Sequence, residues 1–277
     1  MKLSSKILIG LGIAFFVIPI VMTSYIAGDN RVDSKVYEEI LRKEGNDPKS
    51  EDTYLKTYHT NSFRNLKING NQKGAIALFI VKSDQYAVKV DKNSEREVLV
   101  AVDGNGQLNI ELTDNAKSYY KRIYIFTPDI KQIELSEVRV NNFSGQCDQL
   151  EIFGNKIEDF TFDSNVQINA LSLRLKNSLI SGDRQQSFNL DQLTLDLDSS
   201  DVNITKQNYE DVFIQAKDSK VNFSGENPDA KLKFLNLKTV GNTSIGLGNL
   251  QVENIEGQLS QETKTDLPVS LLRKIIK

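Results

Sequence analysis

From Ile133 onward the chain repeats itself, and each repeat carries two anchors. The first opens an apolar alternation: Ile133-Glu-Leu135, Leu150-Glu-Ile152, Leu171-Ser-Leu-Arg-Leu175, Leu193-Thr-Leu-Asp-Leu197, Val212-Phe-Ile214 and Leu235-Asn-Leu237, spaced by 17, 21, 22, 19 and 23 residues. The second is an apolar residue two after a small or polar one: Phe143 after Asn141, Phe160 after Glu158, Ile180 after Ser178, Val202 after Ser200, Val221 after Ser219 and Ile245 after Thr243, spaced by 17, 20, 22, 19 and 24. Second anchor follows first by 9 or 10 residues throughout, so the variation in length is confined to the return segment.

Two strands this close together cannot bury an apolar face alone, so stacked units must supply one another's core. The expectation is an all-β chain: a parallel β-helix, or β-solenoid, of about six two-strand rungs. At roughly 4.8 Å per rung the stack is on the order of 30 Å long. A leucine-rich repeat is the alternative, because Leu190-Asp-Gln-Leu193-Thr-Leu195 partly fits its spacing. Against it, Val202-Asn-Ile204 and Val221-Asn-Phe223 alternate as strands do on the side where a horseshoe needs a helix or turn.

Upstream, residues 62–128 predict antiparallel β-hairpins. Ile76, Leu78 and Ile80 alternate, as do Tyr86, Val88 and Val90, with Lys82-Ser-Asp-Gln85 between them. Val98–Val102 and Leu108–Leu112 flank Asp103-Gly-Asn-Gly106, whose glycines permit the positive φ of a tight hairpin turn. Residues 29–61 are rich in charge and read as a linker with one short helix, in which Val36, Ile40 and Leu41 share a face before Gly45-Asn-Asp-Pro48 breaks the pattern. The solenoid repeats fill 129–257. The tail, 258–277, contains Leu267-Pro-Val-Ser-Leu-Leu-Arg-Lys-Ile-Ile-Lys277, suited to a short helix over the last open rung or to a membrane-surface segment.

Residues 1–28 set the expected location. Lys2 and Lys6 precede a run from Ile7 to Ala27 without a charge, about the 20 residues a bilayer crossing takes. Tyr25-Ile-Ala27 is a poor cleavage sequence, so an uncleaved signal anchor is expected, with a cleaved signal peptide as the alternative. A lipoprotein anchor needs a cysteine at the end of the run, and the one cysteine is Cys147. The basic side faces the cytoplasm, which predicts a single-pass membrane protein whose C-terminal domain is periplasmic or extracellular. Cys147 without a partner means stability by core packing, with no disulfide framework.

The chemistry of known site classes is sparse. His59 is the sole histidine and lies in the linker, which excludes a His-dependent triad or multi-His metal site in the β domain. Asp159, Asp163, Asp196, Asp198 and Asp201 sit near strand ends and are the residues that Ca²⁺ binding or paired-carboxylate cleavage of a polysaccharide would use. Alternation with Leu195 and Leu197, however, places Asp196 and Asp198 on the solvent side of a strand. Gly104 and Gly106 sit in a hairpin turn, not a phosphate loop. With 34 basic and 37 acidic residues and no basic stripe among aromatics, nucleic acid is not an expected partner. No catalytic, cofactor or metal residue is assigned. Asn142, Asn203, Asn222 and Asn242 open Asn-x-Ser/Thr triplets that recur with the repeat. The variable return segments Gly182–Ser187, Thr205–Asp211 and Gly225–Asp229 form the edge where a protein or glycan partner would bind.

The layout of residues 62–257 resembles the auto-transporter adhesin family of the head GIN domain type, an exported bacterial family. The resemblance is carried by Phe63-Arg-Asn-Leu-Lys-Ile-Asn-Gly70, the strands around Lys82-Ser-Asp-Gln-Tyr86, Gly106-Gln-Leu-Asn-Ile110, and Ile125-Phe-Thr-Pro128 leading into Ile133-Glu-Leu-Ser136. It implies fold and export but no site residues. The expected function is non-enzymatic: an envelope protein presenting a β-solenoid to a protein or glycan, adhesin-like or scaffolding. A carbohydrate-active β-helix enzyme and the outer sensor of an envelope-stress pathway are the alternatives.

Overall fold

The computed structural model describes residues 3–29, 34–50, 52–71, 74–113, 120–163, 166–181 and 190–275. In chain order the elements are α1 (Leu3–Asp29), α2 (Ser34–Asn46), β1 (Leu55–His59), β2 (Asn65–Asn69), β3 (Ala75–Lys82), β4 (Ala87–Asp91), β5 (Val98–Val102), β6 (Gln107–Leu112), β7 (Lys121–Thr127), β8 (Gln132–Ser136), β9 (Arg139–Asn155) and β10 (Asp159–Phe162). There follow β11 (Gln167–Lys176), β12 (Leu179–Ile180), β13 (Gln192–Asp198), β14 (Asp201–Thr205), β15 (Tyr209–Lys217), β16 (Lys220–Ser224), β17 (Lys231–Val240), β18 (Ser244–Gly246), β19 (Gln251–Gln258), β20 (Lys264–Thr265) and α3 (Val269–Ile275).

The repeats form a β-solenoid with two faces. On the first, β8, β9, β11, β13, β15, β17 and β19 stack in parallel. On the second, β12, β14, β16, β18 and β20 do the same. The second side of each turn is therefore a strand, which decides for the β-helix over the horseshoe. Like residues stack inside: Leu150, Leu171, Leu193, Val212, Leu235 and Ile255 form one row, and Leu66, Ile133, Ile152, Leu173, Leu195, Ile214 and Leu237 another. Each of these side chains is buried, and burial of a Leu or Ile contributes about 1.5–3 kcal/mol.

The expected alignment is offset at its start. Ile133 faces Ile152, not Leu150, and Phe143 faces Phe162, while Phe160 faces Val140. β9 runs through both faces, and its second-face part carries a bulge at Asn141, seen from β3 and from β10 alike, so the register there changes between Val140 and Phe143. A two-residue slip keeps every side chain on the same face, so alternation alone cannot detect it.

The corner joining the two faces is the most regular part of the turn. Glu137, Lys156, Asn177, Ser199, Asp218 and Gly241 all have positive φ, between 48° and 63°. Just after that residue a buried hydroxyl recurs. Ser178 Oγ accepts from Ile157 N–H at 3.1 Å, Ser200 Oγ from Ser178 N–H at 3.1 Å and Ser219 Oγ from Ser200 N–H at 3.0 Å. Each hydroxyl also donates to the carbonyl two residues before it, at 2.8, 3.0 and 2.7 Å. Before Ile180, Val202 and Val221 the small residue is therefore the hydrogen-bonding group that turns the corner, satisfying amides that water cannot reach.

The N-terminal half departs from the hairpin expectation. β3 and β4 do not pair with each other: β7 lies between them, antiparallel to β4 and parallel to β3. β2 is parallel to β6 on one side and to β8 on the other, and β3 is parallel to β7 and β9, so residues 62–128 extend both faces of the solenoid. The hairpin of β5 and β6 forms as expected, Val98 opposite Leu112 and Val102 opposite Leu108. Alternation identifies strands but not the partner that completes their ladder.

The segment read as a linker is partly built into the fold. α2 forms, and β1 then pairs with β4. The buried Glu44 carboxylate accepts from the N–H groups of Thr53, Tyr54 and Leu55 at 2.9–3.2 Å, tying the end of α2 to the start of β1. The buried Lys89 ammonium donates to Asp47 O at 2.9 Å and to Ser50 Oγ at 2.7 Å. Burial lowers its pKa, against the opposing pull of Asp52, Glu44 and Asp47. His59 closes β1 and is exposed. At the other end, α3 packs against β19 with Leu267 and Ile275 buried in the core.

α1 is a helix with Leu11, Phe15, Phe16 and Ile20 exposed. Among the described residues no helix is long and apolar enough to cross a membrane.

Candidate functional site

Every second residue of the first-face strands points outward. Because inward and outward positions stay in register from rung to rung, the outer face is a set of rows as ordered as the core. One row reads Lys67, Glu134, Phe153, Arg174, Asp196, Gln215 and Lys238 across β2, β8, β9, β11, β13, β15 and β17. Beside it run Ser136, Asn155, Lys176, Asp198 and Lys217.

Two grooves open on this face over the same strands. One, of about 500 Å³, is lined by residues that include Glu134, Phe153, Arg174, Lys176, Asp196 and Asp198. The other, of about 570 Å³, lies toward the strand starts and includes Asp129, Lys131, Asp148, Glu151, Gln192 and Thr194. Arg174 joins them. Its guanidinium pairs with Glu151 at 2.9 Å and lies 5.2 Å from the centre of the Phe153 ring. That clamp fixes a flat cation over an aromatic face and leaves Lys176, Asp196 and Asn155 around it, a mixture of donors, acceptors and one apolar surface. Ion pairs run between rungs rather than along them: Lys67 with Glu134 at 3.6 Å, Lys217 with Asp198 at 3.8 Å and Lys233 with Glu210 at 2.6 Å.

The five aspartates singled out in the sequence are not brought together. Asp196 and Asp198 stand on the outer first face, while Asp159, Asp163 and Asp201 belong to the second. Asp163 accepts from Asn142 at 2.8 Å and Asp159 from Ser181 at 2.5 Å, both across adjoining rungs. Among the described residues no group of three His, Cys, Asp or Glu side chains is placed to hold a metal ion. The recurrent Asn triplets have a structural use. Asn222 donates to Asn203 Oδ1 at 3.2 Å, and Asn203 donates to Ser181 O at 3.1 Å, an amide ladder up the second face.

Of the return segments, 205–211 is held in: Gln207 and Tyr209 are buried, and Lys206 Nζ donates to Gly248 O at 3.0 Å. Residues 225–229 are exposed, and 182–187 lie outside the described residues. Cys147 is half-buried, and burial, with Asp129 and Asp148 adding, pushes its thiol pKa up to about 11. The sequence reading missed Phe153 and Arg174. Parity held the signal: Ile152 and Leu173 point inward, so their successors must point out.

The sequence matches no family profile and no curated protein, so the resemblance to the head GIN domain adhesins has no such confirmation. Solved structures do align with it. A crystal structure from Parabacteroides merdae, provisionally named an adhesin, is 16% identical with a TM-score of 0.45, covering 77% of this chain and 93% of its own. One from Parabacteroides distasonis, provisionally named a lipid binding protein, is 12% identical with a TM-score of 0.48 over the same shares. A second from that organism, provisionally named an adhesin, is 15% identical with a TM-score of 0.43, covering 76% and 91%.

Proposed function

We propose that the chain is a non-enzymatic, membrane-anchored envelope protein that presents the outer first face of its solenoid to a protein or glycan. The observation that carries this reading is the pair of adjoining grooves over β8–β13, furnished with an aromatic ring, a clamped guanidinium and several carboxylates and amides. Such a surface matches ligands rich in hydroxyl or amide groups. The sequence supports the anchor: Ile7–Ala27 carries no charge, and Lys2 and Lys6 precede it on the side that the positive-inside bias assigns to the cytoplasm.

The test follows an epitope tag inserted in the exposed 225–229 loop. Carbonate-washed membranes should retain the tag, and protease should remove it from intact cells or, for a periplasmic domain, from spheroplasts. Release by carbonate would overturn the anchor. Purified chain should then bind envelope glycans or proteins, and Arg174→Ala should weaken that binding at least tenfold; unchanged binding removes the groove from the reading. The carbohydrate-cleaving alternative draws on Asp196 and Asp198 flanking the same groove. It requires reducing-end release that disappears in Asp198→Ala.

A further inference from the structure

The two ends of the first face are finished differently. At the C-terminal end, β19 carries Glu253 and Glu256 among polar residues, and α3 packs against it. Charge and cover of this kind discourage a further strand. At the other end stands β5, Val98-Leu-Val-Ala-Val102, five consecutive apolar residues with no charge and no proline. Among the described residues its only strand partner is β6. The neighbouring edge strand on the second face, β1, is blunted: Asp52 occupies the outward N–H of Thr57 at 2.8 Å, and Lys56 and His59 flank it. Among the described residues β5 has no such device.

The hydrogen-bond parity of β5 defines what can be added. Asp103 N–H donates to Gln107 O and Thr113 N–H donates to Glu97 O, both at 3.0 Å, so the odd-numbered residues face β6. The N–H and C=O groups of Val98, Val100 and Val102 therefore point to the free edge. Their side chains point toward the core, and Val100 and Val102 are only half-buried, lining a hollow of about 530 Å³ with Tyr58, His59, Thr60 and Asn61. Leu99 projects from the other side of the strand and is 56% exposed.

We infer that β5 is a self-association edge, and that its occupant is β5 of a second copy of this chain, antiparallel about a two-fold axis through Val100. This register sets Val100 opposite Val100 and Val98 opposite Val102, so every outward N–H meets an outward C=O. Leu99 of each copy falls opposite Ala101 of the other, in the closer, non-hydrogen-bonded type of pair. Charge agrees with the choice. Exposed Arg96 at one end of the strand comes beside exposed Asp103 at the other end of the second copy, twice by symmetry. Glu97, which would otherwise face that aspartate, is turned to the buried Lys121 ammonium at 3.1 Å. The first faces of two solenoids would become one sheet, closing the core at its open end.

The test uses the full chain in detergent micelles and in native membranes. Leu99→Cys/Ala101→Cys should oxidise to a covalent dimer whose disulfide peptides join position 99 of one copy to position 101 of the other, since Cα atoms in such a pair lie about 4.5 Å apart. Leu99→Lys/Ala101→Lys sets like charges opposite each other twice. It should abolish the dimer seen by sedimentation equilibrium for the unsubstituted chain, with its β circular dichroism unchanged. Val100→Pro, which removes an outward N–H only, should do the same and covers the case in which the lysine variant misfolds. An unsubstituted chain that stays monomeric at about 100 µM overturns the inference. So does a dimer that survives both edge variants, or a disulfide made to a different polypeptide.

Discussion

Replacing Ser200 by alanine isolates the corner ladder from the hydrophobic core. Ser200 is 1% exposed; its hydroxyl accepts the Ser178 N–H at 3.1 Å and donates to Asp198 O at 3.0 Å. The Asp198 carbonyl keeps a second donor, Asn177 N–H at 3.0 Å, so it stays satisfied in the variant. The Ser178 amide does not, because the hydroxyl is its acceptor and the site is closed to water. Leaving one buried N–H without a partner costs about 1–3 kcal/mol, and removing a hydroxyl from this site offsets little of that. For a domain of this size about 2 kcal/mol lowers the melting temperature by roughly 4–8 °C. Thermal unfolding followed by far-ultraviolet circular dichroism measures the shift, and hydrogen exchange measures the protection of the Ser178 amide. Ser200→Thr keeps the hydroxyl and should retain most of the stability. If Ser200→Ala melts within about 1 °C of the parent with Ser178 still protected, the ladder is decoration and the corner is held by its backbone alone.

Two further outcomes follow from the same corners and core. Ser199 adopts φ 53°, a conformation that costs a residue with a Cβ about 1–2 kcal/mol, so Ser199→Gly should gain about 0.5–1 kcal/mol after glycine's greater loss of chain entropy. Asn177→Gly should gain less, since asparagine tolerates that region; a denaturant midpoint that falls in Ser199→Gly refutes the strain argument. The Cys147 thiol, raised from 9.0 to about 11, should alkylate about 100-fold more slowly at pH 8 in the native chain than in the unfolded one. Equal rates would mean that the site opens readily.

The solenoid was legible because its two anchor series keep step, a regularity that comes from stacked rungs needing like residues at like heights. The corner was half legible. Ser178, Ser200 and Ser219 stood out by position, but the reason, a hydroxyl serving the amide one rung below, depends on contacts some 20 residues apart. The offset at Ile133 was not legible at all, because a two-residue slip leaves inside and outside unchanged. Phe153 and Arg174 were hidden for another reason: an aromatic or basic residue on an outward position looks like ordinary surface until the register shows that Arg174 has Glu151 and Phe153 on the strand beside it.

The hairpin misreading has consequences for how the chain must fold. From β11 on, each first-face strand pairs with the next such strand, about 20 residues away, so the stack can grow by addition of local units. β2 and β3 cannot join that way. β2 lies between β6 and β8, and β3 between β7 and β9, so each waits for a strand 42 to 45 residues downstream to fill its first edge and one 64 to 67 residues downstream to fill its second. Closing such loops is costly before any contact repays it. The N-terminal half is therefore the part whose edges stay open longest during folding, and β5, at the outer end of that half, is an apolar edge with β6 as its one strand partner among the described residues.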